Sequence, residues 1–406
     1  MAGASLSLLR RVRAMVGPDA VVDTDAAGTP RVAPRSEEAC ALVLETAASE
    51  GWRVSLAGAH TWVTGEAAAD LVLSTTGLSR IVAVAPGDLV ATVEAGVLWD
   101  DLRRALADAG AWAAIDPPGI GRTTGSIIAT ATAGPLRTGL GGVREQVLGL
   151  TLVTGEGKIV RVGGRVVKNV AGFDLAKLAT GSFGAFGLIT TIHLRLRAVP
   201  RADRTFLFSA DRDRTVHAAL AVLDSGLVPA ALEVLSPAAA GRPLWTLAVR
   251  LLGSFEAVEA THRSVAGAVE QAMEELGAER ARAFWARLAS GCIQSPVTLR
   301  VGTLATALDD TLDLVAHHLD DTWIAASPGA GGLRWSGSAP LDRLRLFRHA
   351  AAQREMPVTL ERAPADLRDQ LGIFGAYREG IAPLVGSLRQ SFDPAGVLAV
   401  PLSAAA

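Results

Sequence analysis

The sequence is short of several residue types, and each shortage removes a class of function. Cysteine occurs only at Cys40 and Cys292 in 406 residues. Two thiols cannot furnish an iron–sulfur cluster or a zinc cage, and so wide a separation gives no reason to expect a disulfide, so a reducing cytoplasm is the expected compartment. Charge of one sign is also missing. The net charge is −2, with no Lys/Arg run and no acidic tail, which excludes the electrostatic footprint of a nucleic-acid partner. No uncharged apolar run is long enough to cross a bilayer, and alanine swells the 50% hydrophobic share. The opening MAGASLSLLRRVRAM places its charges after a short apolar run, the wrong order for a secretory signal. Histidine is sparse. Only His317 and His318 are adjacent, and neighbours on a helix point about 100° apart, so they make a favourable helix end and not a metal pair, and no metal site is expected. Tyr377 is the lone tyrosine, a substrate donor or a packing residue.

Glycine is what the chain has, mostly before residue 190. That half alternates short strands and helices. Ser36 caps a helix running to about Glu50, with Gly51 just past its end, and Arg53–Ala57, Leu71–Ser74 and Leu89–Glu94 read as strands. A helix face spans Leu98–Ala109, TLVTGEGKIVRV (Thr151–Val162) reads as a hairpin, and Leu188–Leu196 as a strand. After Pro200 longer helical patterns over Arg212–Asp224, Phe255–Leu276, Thr303–Leu319 and Leu341–Arg354 alternate with strands, and no internal repeat is visible.

Four segments of small residues, glycines and hydroxyls lie between strands or at helix starts: LAGAHT (Leu56–Thr61), DPPGIGRTTGS (Asp116–Ser126), ATAGPLRTGLGG (Ala131–Gly142) and ATGSFGAFG (Ala179–Gly187). Successive backbone N–H groups in such turns form anion-binding nests. Together they suit a long phosphate-bearing ligand; taken singly, each is equally an ordinary tight turn. GSFGAFG is not a dinucleotide-binding fingerprint, because a helix precedes it and a strand follows. GEGK (Gly155–Lys158) leads into a strand, so it is a hairpin turn and not a phosphate loop.

In this order the four segments resemble the FAD-binding domain of the vanillyl-alcohol-oxidase/PCMH type. GPLRTGLGGVREQVLGLTLVTGEGK (Gly134–Lys158) and KNVAGFDLAKLATGSFGAFGLIT (Lys168–Thr190) resemble the FAD-binding subunits of bacterial glycolate oxidase complexes. The strong resemblance covers about residues 30–200, with echoes at LRWSGS (Leu333–Ser338) and SFDPAGV (Ser391–Val397). The chain then runs LAVPL where the family continues Asn-Pro-Gly, which leaves the role of its tail open.

The implied fold is α+β. An N-terminal segment (1–30) precedes a two-subdomain PCMH-type FAD-binding domain (31–200). An α+β cap domain with a ferredoxin-like sheet (201–365) and a closing segment (366–406) follow. By position, the resemblance assigns Ala57, Gly58, Ala59, His60, Thr61, Pro118, Gly119, Thr123, Thr124, Gly125 and Ser126 to the pyrophosphate, with hydroxyl donors from Thr123, Thr124 and Ser126. It assigns Gly134, Arg137 and Gly139 to the flavin side, and Gly187 and Ile189 to a strand contact on the adenine or ribitol side. Non-covalent FAD is implied; His60 stands where other members form a covalent link, and is otherwise a polar pocket residue or uninvolved.

Only three of the 39 basic residues are lysine: Lys158, Lys168 and Lys177. Lys168 is either a cation at the flavin edge, tuning its potential, or a structural partner of Asp174. Lys177 fits a solvated helix face.

Oxidation of a 2-hydroxy acid needs a cation for the carboxylate, with Arg334, Arg362 and Arg378 as candidates, and a base, for which no candidate stands out. The resemblance therefore implies a subunit that holds FAD beside a larger catalytic flavin subunit and an iron–sulfur subunit, acting on a small 2-hydroxy acid and membrane-associated only through partners. A free-standing flavin enzyme and a cofactor-free scaffold are the rival readings.

Overall fold

The computed structural model describes all residues except 1, 18–19, 25–27, 64–67, 165–173, 321, 376, 378–379, 401 and 403–406. The glycine-rich half builds two sheets. The first has the order β1 (Val21–Thr24), β2 (Pro30–Val32), β4 (Leu71–Ser74), β3 (Val54–Ala57), parallel from β2 onward. The helix Glu37–Glu50 packs on it. Ser36 accepts from the Ala39 N–H at its start, Gly51 at φ 71° ends it, and Cys40, Val43, Leu44 and Ala47 are buried along one face.

The second sheet is antiparallel, in the order β5 (Ile81–Ala85), β6 (Val90–Glu94), β10 (Leu188–Arg195), β8 (Val147–Val153), β9 (Ile159–Gly163). The expected hairpin is β8–β9, and Gly157 takes φ 77° in its turn. A two-stranded ribbon pairs β7 (Ala111–Trp112) with β11 (Arg197–Ala198).

Residues 202–362 carry one eight-stranded antiparallel sheet: β15 (Glu274–Leu276), β12 (Ala202–Ala210), β14 (Trp245–Gly253), β13 (Ala231–Leu235), β17 (Trp323–Ser327), β18 (Gly332–Gly337), β16 (Val297–Gly302), β19 (Val358–Arg362). This order contains a duplication. β12, helix, β13, β14, helix, β15 is a βαββαβ unit with spatial order 4-1-3-2. β16, helix, β17, β18, helix, β19 repeats it, and the two units abut through β13 and β17. The expectation of no internal repeat is therefore corrected.

Two helix boundaries also differ from expectation. Phe255–Val269 stops at Glu270, which takes φ 55°, and the apolar pattern continues through Leu276 because β15 buries it. Gly277 does not end a helix; it is the N-cap of Ala278–Gly291, which the sequence reading missed. Thr303–Leu319 contains a short 3₁₀ turn before the helix Leu308–His318.

The closing segment returns to the first sheet. Leu398 bridges to Val54 in parallel, and Ala399 N–H donates to Val54 C=O. The buried Asp393 carboxylate accepts from Val397 N–H at 2.8 Å and Leu398 N–H at 2.9 Å. Among the described residues no helix is long and apolar enough to cross a membrane.

Candidate functional site

A cleft opens between the two sheets of the glycine-rich half. Its walls come from five places: Ser55–Val63 on and after β3, Thr75 just past β4, Gly125–Thr130 on the helix Thr124–Thr130, Phe183–Ile189 entering β10, and Arg368, Ile373, Ala399 and Val400 further along the chain. Among the described residues no Asp or Glu lines it; the polar groups are hydroxyls, amides, an imidazole, an indole and a guanidinium. A donor-rich cleft without carboxylates suits an anionic, acceptor-rich ligand.

The first loop supplies the donors. Among the described residues no acceptor meets the backbone N–H of Gly58, Ala59 or Thr61. A Cβ on Gly58 would collide with the Thr123 hydroxyl, so only glycine brings the loop this close to the next helix. Ala57 lines the same wall, and His60 lines it with φ 57°. Opposite, Gly187 at φ 139° passes so close to Val153 C=O that a side chain is excluded, and Ile189 continues the wall.

The second loop behaves differently. Gly125 and Ser126 line the cleft, but the hydrogen-bonding groups are used internally. Thr124 N–H and Oγ1 both donate to Val97 C=O, at 2.8 and 3.0 Å, and Gly125 N–H donates to Ala95 C=O at 2.7 Å. Ser126 Oγ donates to Thr123 C=O at 2.8 Å, and Thr123 Oγ1 caps the helix by accepting from Ser126 N–H. Pro118 and Gly119 lie behind the wall. Gly119 N–H donates to Ala289 C=O, and the glycine leaves room for the Trp62 ring. Pro118, Gly119, Thr123 and Thr124 are therefore not among the residues that line the cleft.

The third loop also stands outside the cleft. Gly134 is glycine because Asp116 C=O occupies the space of a Cβ, and Gly139 because Pro229 and Ala230 do. Arg137 is exposed. Lys168 and Arg378 lie outside the described residues. Asp174 caps the helix Leu175–Ala179 and pairs with Lys177 at 3.2 Å. Lys158 pairs with Glu156 at 2.7 Å. Sequence reasoning missed Trp62, Thr130, Arg368, Ala399 and Val400; the Asp393 segment that positions the last two was noticed only as an echo.

Around the Asp116 carboxyl a second polar cluster joins this half to the cap sheet. Asp116 accepts from Leu136 N–H, and burial pushes its carboxyl up to about 7. Burial raises Glu233 to about 8; its carboxyl accepts from Ser327 Oγ at 2.5 Å, and Asp116 adds to the shift. Burial opposes the charge on Glu361, but Arg334 and Arg300 outweigh it and hold the pKa below the usual range. Arg334 is committed. It donates to Glu361 at 2.8 Å and to Ala133 C=O at 3.1 Å. Arg362 donates to Ser295 C=O. The carbonyls of His317 and His318 accept from Arg343, as at an anchored helix end. The Tyr377 ring packs 6.3 Å from that of Phe374.

The FAD binding domain profile matches residues 30–163. The chain is 32% identical over 329 residues to the glycolate oxidase subunit GlcE of Escherichia coli strain K12, a match covering 77% of this chain and 81% of that one. The chain belongs to this family of FAD-linked oxidoreductases. It is also 32% identical over 204 residues to the glycolate oxidase subunit GlcD of Bacillus subtilis strain 168, covering 47% of this chain and 43% of that one. The 4-ethylphenol oxidase from Gulosibacter chungangensis has the same fold, with a TM-score of 0.72 at 15% identity, covering 99% of this chain and 98% of that one.

FAD is thus the cofactor, and the cleft fits it. Among the described residues, three amides after β3 without acceptors match a diphosphate, the glycine-walled entry to β10 admits a close-lying ligand, and a lining without carboxylates avoids repelling an anion.

Proposed function

We propose that this chain is the FAD-holding subunit of a glycolate, or more broadly 2-hydroxy acid, oxidase complex. FAD held in the cleft would supply a two-electron acceptor for the substrate or a relay for its electrons. Gly58, Ala59 and Thr61 hold the diphosphate; Gly125, Ser126, Gly187 and Ile189 shape the walls; His60 is a polar wall residue with FAD held non-covalently. The FAD-binding domain spans residues 31–200, the cap 201–365 and the closing segment 366–406. The partners are a larger flavin subunit and an iron–sulfur subunit, in the cytoplasm, with any membrane contact made through them.

The observation that carries the FAD reading is the set of acceptor-less amides at the cleft wall. The need for a partner is supported by Arg334, whose guanidinium is tied to Glu361 and Ala133 and so is not offered to a substrate carboxylate. The test is purification of the tagged chain with its untagged neighbours. The expected result is one flavin per chain, glycolate turnover by the complex with an artificial electron acceptor, and none by the isolated chain. Turnover by the isolated chain would establish the free-standing enzyme instead. Folded, colourless protein that refuses added FAD would leave only a scaffold.

A further inference from the structure

Trp62 is 2% exposed, lines the cleft, and among the described residues its indole N–H has no acceptor. A buried donor without an acceptor carries its full desolvation cost, so proteins keep few of them. The ring's position is built with care. The Arg122 guanidinium lies 4.5 Å from the ring centroid, and the missing Cβ of Gly119 makes space for its edge. Arg122 is itself fully buried and held in place, donating to Pro118 C=O at 3.0 Å and Thr130 Oγ1 at 2.9 Å; burial lowers its pKa to about 9. A phenylalanine would fill this slot and stack on the arginine as well, without an unmet donor.

We propose that Trp62 is a FAD-binding residue, donating its indole N–H to an acceptor atom of the bound cofactor, and that Arg122 is the positioning residue that holds the ring. The inference rests on reading the cleft as the FAD site. It adds an indole donor next to the loop that carries the backbone amides. Bound FAD satisfies the indole, so the cost borne by the empty cleft is recovered on binding.

The experiment compares the full-length wild type with Trp62→Phe, which keeps the ring and its contact with Arg122. The FAD dissociation constant, from flavin fluorescence quenching, is expected to rise about three- to tenfold. The melting temperature of the FAD-free protein is expected to stay level or rise, because the variant deletes an unsatisfied donor. A merely structural tryptophan would lower it. In ¹⁵N-tryptophan-labelled wild type, one indole resonance should move downfield when FAD is added, and that resonance should be missing in Trp62→Phe. A dissociation constant within twofold of wild type, or a fall in FAD-free stability, overturns the proposal and leaves Trp62 as packing or as a water-satisfied donor. If the variant does not fold, the wild-type spectrum decides: no indole shift on FAD addition overturns it. Failure of the wild type to bind FAD at all would instead overturn the reading of the cleft.

Discussion

Among the described residues the loop Leu56–Thr61 leaves three backbone N–H groups without acceptors at the cleft wall, whereas the loop Asp116–Ser126, richer in glycine and hydroxyls, turns those of Thr124, Gly125 and Ser126 inward to grip the end of β6 and its own helix. The first follows a parallel strand, and among the described residues no carbonyl pairs with those amides. The second crosses over Ala95 and Val97, whose C=O groups take the amides of Gly125 and Thr124 and the Thr124 hydroxyl. Composition therefore does not make a ligand loop. What matters is whether neighbouring backbone has acceptors to spare.

The largest test of this difference is Gly58→Val. Its side chain would collide with Thr123 and displace the first loop, so FAD affinity should fall more than about a hundredfold. The flavin-to-protein absorbance ratio measures it, and near-normal loading would show that the loop does not hold the cofactor. The second loop should fail differently. Thr124→Val deletes the hydroxyl bond to Val97 and should cost about 1 kcal/mol in urea unfolding while leaving FAD affinity within about twofold.

The carboxyl at the head of the second loop gives a pH signature. Asp116 is raised to about 7 and Glu233 to about 8 by burial, above their usual values of 3.8 and 4.5. The folded chain therefore binds protons more tightly than the unfolded one. Their contribution is favourable below the unfolded values and is lost as pH rises through the folded ones. Stability should decline between about pH 4 and 8, and Asp116→Asn should flatten the part of that decline between about pH 4 and 7. Parallel melting curves for wild type and variant across this range would refute it. The smallest effect expected is at His60. Acid precipitation should leave the pellet colourless and release the flavin, whereas a yellow pellet lost in His60→Asn would establish a covalent bond.

Much of the first half was legible because its signals are local. Ser36 and Gly51 bracket a helix, and Gly157 marks a hairpin turn. The cap was less legible. Met273 and Leu276 extend a helical-looking pattern past Glu270, and Gly277 serves equally well after one helix or before the next. The duplicated βαββαβ unit left no trace because strand order is fixed by pairings between distant residues, not by any repeated residue pattern. At the site, Ala57–Thr61 was found because a loop after a strand is a sequence feature. Trp62 and Arg368 were missed because burial beside a cleft is not. Lys168 stays a proposal; Lys168→Met should lower the flavin midpoint potential if that cation lies at the ring.

The strand-like docking of Leu398 against Val54 has a consequence for biogenesis. One wall of the pocket, Ala399 and Val400, lies far along the chain from the wall built by Ser55–Val63. A polypeptide that stops short of Asp393 lacks that wall, so it should be released without pigment.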